Sequence, residues 1–139
     1  MHDRTLLDLL TDTTRLHSAY VERRLARWGI HSGQGSIISA LGFLGPCSQK
    51  ELADFRQVSP ATISVMLGRM EAKGLITRVP AEEGGKRNQI SLTERGKQIC
   101  DEMADYMEEE NVKIFDGLTQ EDKENAARLF LVITENLAK

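Results

Sequence analysis

Between Cys47 and Gly96 the chain carries two helix-start signals a few residues apart, then two short strand-like runs around a Gly-Gly pair. In the first, Ser48-Gln49-Lys50-Glu51 spells a capping box, in which the Ser48 hydroxyl accepts from the N3 amide and Glu51 reaches back to the cap. Pro46 stands just ahead of it, and Leu52, Ala53 and Phe55 give the helix a short apolar face. In the second, Ser59 suits an N-cap and Pro60 the first helical position, where its missing N–H would have had no partner anyway. Ile63, Met66, Leu67 and Met70 then recur at helical spacing and Gly74 suits the residue after the C-cap, so the pattern predicts a helix over about 60–73. Two helices this close leave room for only a tight turn between them. After Gly74, Leu75-Ile76-Thr77-Arg78-Val79 and Asn88-Gln89-Ile90-Ser91-Leu92 read as strands joined through Gly84-Gly85, with Lys86 and Arg87 near the tip. Thr93 caps a further helix.

The outward face of the second helix carries Ala61, Thr62, Ser64, Val65, Gly68, Arg69 and Lys73, small and polar at its start and basic at its end. A helix entering a major groove by its first turns needs small hydrogen-bonding groups there and cations beside the phosphates. Ser59, Pro60, Ala61, Thr62, Ser64 and Val65 are therefore expected to face bases. Arg69, Lys73, Lys86 and Arg87 are expected to hold phosphates or the minor groove, and Ser48 and Gln49 to add backbone contacts. The plainer alternatives are that Ser59 and Thr62 only cap, that Arg69 is ordinary surface charge, and that Met66 and Met70 are core rather than ligands.

The runs Ser48-Gln49-Lys50-Glu51-Leu52-Ala53, Val58-Ser59-Pro60-Ala61-Thr62-Ile63-Ser64, Arg69-Met70-Glu71-Ala72-Lys73-Gly74-Leu75-Ile76 and Ser91-Leu92-Thr93-Glu94-Arg95-Gly96 resemble the MarR family of winged helix-turn-helix transcriptional regulators. The resemblance covers nearly the whole chain. It implies a mainly α (α+β) fold, a winged helix-turn-helix at 34–97 flanked by dimerisation helices at 1–30 and 98–139. It also implies a homodimer on double-stranded DNA, usually a repressor at a pseudo-palindromic operator, released by a small-molecule effector or an oxidant. Two positions depart from the family pattern. Members often carry Arg where this chain has Val65, which shifts the expected base preference toward the thymine methyl. In the wing, the common Asp-x-Arg is replaced by Gly85-Lys86-Arg87, so either Lys86 or Arg87 can be the tip contact.

Net charge is −3, which suits a DNA reader only once it is divided along the chain. Residues 46–97 hold nine Lys/Arg against six Asp/Glu, residues 1–45 five against four, and residues 98–139 four against eleven. The basic part coincides with the expected reading head and the acidic part with the C-terminal helices, whose acids read equally well as a solvated face. In the flanks, Leu6, Leu9, Leu10, Leu16, Tyr20 and Leu25 form one apolar stripe ending at Trp28-Gly29, and a helix from about 34 to 44 follows. Leu118-Thr119-Gln120-Glu121-Asp122 opens a last helix whose Ala126, Leu129, Phe130, Ile133 and Leu137 make another stripe. Pairing of these stripes with a second chain is expected.

Other chemistry finds little support. No apolar run reaches membrane-spanning length and no leader pattern is evident, so a cytoplasmic protein is expected. No phosphate-binding glycine loop, paired-acid site or nucleophile with a partner stands out, so no enzyme, cofactor or metal is implied. His17 and His31 could converge on a metal only in a fold that brings them together. Cys47 and Cys100 suit small core residues, and the sharper reading makes Cys47, beside a helix N-terminus, an oxidant-sensing thiol with a lowered pKa. The competing functional classes are an antirepressor-like winged-helix module that binds protein, and an oxidant- or metal-responsive regulator.

Overall fold

The structure, a computed structural model, describes residues 3–79, with only the backbone of Val79, and 89–139. Its elements are α1 (Leu6–Leu25), a 3-10 turn (Ala26–Trp28), α2 (Ser32–Leu44), β1 (Cys47–Ser48), α3 (Gln49–Arg56), α4 (Pro60–Ala72), β2 (Ile76–Val79), β3 (Gln89–Leu92), α5 (Glu94–Ile114) and α6 (Gln120–Leu137). The three strands form one antiparallel sheet in the order β1-β3-β2. Ile76 pairs with Leu92, Arg78 with Ile90, and Cys47 with Ile90 on the other side.

Local chemistry sets most boundaries. At α3 the Glu51 amide donates to Ser48 Oγ at 3.1 Å while the Ser48 amide donates to Glu51 Oε2 at 2.8 Å, the reciprocal box the sequence spells. The same arrangement opens α1 at Thr5 and Asp8 and α6 at Thr119 and Asp122. Helix α2 starts two residues earlier than its apolar pattern suggests, because His31 is its cap: Nδ1 accepts from the Gln34 amide at 3.4 Å, and Gln34 Oε1 accepts from the His31 amide at 3.3 Å. Helix α3 ends in Gln57 at φ 55°, and the Val58 amide returns to the Ala53 carbonyl, which makes the tight turn to α4.

The chain divides into two compact units, one reaching Asp101 and one from Glu102. In the first, Ile37, Ile38 and Leu41 of α2, Leu52 of α3, and Ile63, Leu67 and Met70 of α4 are buried together with Leu75, Ile76, Ile90 and Ile99. Phe55 is not among them. Helix α3 is only two turns long, and its single core line is filled by Leu52 and Ala53. Phe55 instead stays half exposed and stacks on the exposed Phe43 with ring centroids 5.9 Å apart. Met66 is half-buried rather than core. The start of α5 docks tightly, since the Thr93 hydroxyl donates to the Gly74 carbonyl at 2.7 Å and a Cβ at Gly96 would strike the Leu75 carbonyl oxygen.

In the second unit, Asn111, Phe115, Lys123, Ala126, Ala127 and Phe130 line a concavity of about 310 Å³. Helix α6 has no buried residue. Its stripe is half-buried at Ala126 and Ile133 and exposed at Leu129, Phe130 and Leu137. On α1, Leu6, Leu9 and Leu16 are likewise exposed, and only Leu25 is buried.

Candidate nucleic-acid interface

Helix α4 has a divided surface, and the division is set residue by residue. Ile63, Leu67 and Met70 lock one side into the core. The opposite side presents Ser59, Pro60, Ala61, Thr62, Ser64, Val65, Arg69 and Lys73, all exposed. Ser59 Oγ accepts from the Thr62 amide at 3.2 Å and lies 2.9 Å from Thr62 Oγ1, so both hydroxyls are committed in part to the cap while still facing outward. Ser48 and Gln49 are half-buried at the start of α3. Lys86 and Arg87 lie outside the described residues.

Lys73 is engaged within the domain. Its Nζ donates to the Gly29 carbonyl at 2.8 Å and to Gln34 Oε1 at 3.3 Å, tying the C-terminal end of α4 to the turn between α1 and α2. Gln34 is only 1% exposed, so this tie satisfies a buried acceptor. One of the three ammonium donors remains for an outside partner. Arg69 takes no part in this tie and stays exposed.

Arg78, a strand residue in the sequence pattern, is a further cation near the start of α4. With Gln49, Lys50, Ala53, Asp54, Pro60 and Ile90 it lines a concavity of about 490 Å³ where the starts of α3 and α4 meet the sheet. Its Nε stands 3.5 Å from Glu71 Oε2, a solvent-accessible pair worth little to stability. Arg78 lies two residues after the buried Ile76, on the same face of β2, and pairs with Ile90 across the sheet, so period-2 patterning alone does not turn it outward.

Neither cysteine has an activated thiol. Burial, and then the Glu51 carboxylate, push Cys47 above its ordinary range, which reverses the lowering expected from a helix N-terminus. Burial and Asp101 do the same to Cys100, whose sulfur lies 3.8 Å from the Ile38 carbonyl oxygen. His31 spends Nδ1 on its cap. Among the described residues, no group of three or more His, Cys, Asp or Glu is placed to hold a metal ion, and no helix is long and apolar enough to cross a membrane.

A helix-turn-helix packed on a small antiparallel sheet, with the second helix turned outward, defines a winged-helix protein. Residues 28–87, 60 of the chain's 139 residues, match the model of the MarR family. The chain is 26% identical over 129 residues to the uncharacterized HTH-type transcriptional regulator YwoH of Bacillus subtilis, covering 92% of this chain and 93% of that protein. It is 27% identical over 126 residues to the HTH-type transcriptional repressor IacR of Pseudomonas putida, covering 88% of this chain and 75% of IacR. The fold is similar to that of Streptococcus pneumoniae FabT in complex with DNA, with a TM-score of 0.86 at 20% identity over 96% of this chain and 95% of FabT. It is also similar to MepR of S. aureus in a DNA complex, with a TM-score of 0.82 at 20% identity over 99% of both chains.

Proposed function

We propose that the protein is a cytoplasmic homodimeric repressor that binds a pseudo-palindromic operator and leaves it when a small-molecule effector binds. The observation that carries this reading is the divided α4. Its core side is filled within the chain, and its outward side offers exposed hydroxyls, only partly committed to the cap, small apolar groups and the exposed Arg69. In this reading Ser59, Pro60, Ala61, Thr62, Ser64 and Val65 face bases. Arg69 holds phosphate, Lys73 adds at most one donor, Lys86 and Arg87 reach the flanking backbone or minor groove, and Ser48 and Gln49 brace the strand. Residues 34–97 act as the DNA-binding region, and 1–30 and 98–139 as dimerisation helices, in keeping with the exposed leucines of α1 and the uncovered stripe of α6. The relatives support the reading: IacR is a repressor, and FabT and MepR are seen with DNA.

Selection of duplexes from a random pool at moderate salt tests it. Enrichment of an inverted repeat with half-sites about one turn apart, roughly 34–36 Å, is expected from the wild type and not from the Arg69→Ala, Arg87→Ala double variant. Each lost phosphate contact should also reduce the salt slope by about one unit. A folded dimer that enriches nothing would contradict the reading and favour a protein-binding module.

A further inference from the structure

The outward side of α4 contains a glycine for which the folded chain has no use. Gly68 lies inside the helix, its φ is not positive, and a Cβ placed on it meets nothing within 4 Å among the described residues. Glycine in a helix interior destabilises the helix relative to alanine, and here neither a left-handed turn nor a close internal neighbour offsets that cost. Ala61, Val65 and Gly68 follow one another at steps of four and three residues. They therefore share one line along α4, opposite Ile63, Leu67 and Met70. Val65 on that line is 57% exposed. An apolar side chain cannot hydrogen-bond a base edge, and the one apolar group that base pairs present in the major groove is the 5-methyl of thymine.

Resting on the reading of α4 as the helix that enters the groove, we propose that Val65 is a specificity residue for a thymine methyl and that Gly68 is the point where the helix backbone closes on the groove wall. Ala61, one turn toward the N-terminus, continues the apolar line that such a methyl would meet. Removing the side chain at position 68 lets the helix sit deep enough for Val65 to reach the methyl. Arg69, next to it in sequence, then stands at the rim rather than over the base edges.

The test uses the duplex selected by the wild-type protein, with each thymine of one half-site replaced in turn by deoxyuridine, which removes only the methyl. Binding is read by anisotropy at fixed salt. At one or two positions the deoxyuridine duplex should bind the wild type about threefold to fivefold more weakly. Val65→Ala should erase that difference. Gly68→Ala should weaken binding about tenfold while raising Tm by about 3 °C, opposite signs that a merely structural glycine would not give. The deoxyuridine comparison needs no variant, so it stands even if a substitution disturbs folding. Equal binding of all deoxyuridine duplexes, or unchanged affinity in Gly68→Ala, would overturn the proposal while leaving the DNA-binding reading intact. Failure of the wild type to select any duplex would overturn both.

Discussion

Helices α4 and α6 are both amphipathic, yet they spend their apolar faces differently. Helix α4 buries Ile63, Leu67 and Met70 within its own unit and turns small and polar groups outward. Helix α6 buries nothing, leaving Phe130 50% and Leu131 66% exposed. An apolar face already covered frees the opposite side of a helix for recognition. An apolar face left open is an unsettled demand that another chain can meet.

Truncation of the α4 core should separate the two most sharply. Leu67→Ala should cost about 2–5 kcal/mol in chemical denaturation, because Leu67 is fully buried and its site cannot collapse around an alanine. A loss below about 1 kcal/mol would mean that α4 is not held as described. Phe130→Asp on α6 should leave the first unit folded but halve the mass in solution at micromolar concentration, as sedimentation would show. An unchanged mass would remove this face of α6 from the dimer. Ser59→Ala should destabilise by about 1 kcal/mol through loss of the α4 cap, with α6 melting unaffected.

The smallest effect is expected from acid. The Thr5 hydroxyl and amide hold the Asp8 carboxylate below its ordinary pKa, and the Thr119 amide and hydroxyl do the same to Asp122. Because the folded-state values are lowered, the caps contribute above the unfolded-state pKa and lose that contribution as pH falls through the folded-state values. Amide protection in the first turns of α1 and α6, taken relative to the intrinsic exchange rate at each pH, should therefore fall below about pH 4, whereas that of the Ser59 cap of α4, which uses no carboxylate, should not respond. Equal response at all three helices would contradict the assignment.

What could be read from the sequence was local. Ser48, Ser59 and Thr119 announce helices because a cap is chemistry between residues three apart, and Pro60 and Gly74 mark positions whose backbone demands are specific to those residue types. What could not be read was mostly nonlocal or too short for a periodic signal. Strand β1 has two residues, and its identity rests on Ile90 and Gln89 across the sheet. The tie made by Lys73 could not be read, because its partners, Gln34 and Gly29, lie 39 and 44 residues away in sequence. The His31 cap of α2 could not be read, because histidine is not among the residues that ordinarily cap a helix. Phe55 fitted an apolar spacing that a two-turn helix had no room to bury.

Ser48 closes β1 and caps α3 in the same residue, so sheet and helix pair are joined without slack. A linker would absorb a displacement of the hairpin stem, whereas a shared residue transmits it. A shift of β3, which pairs with Cys47 and Ser48, is therefore expected to carry the start of α3 with it, and Gln57 is the short turn that follows before α4.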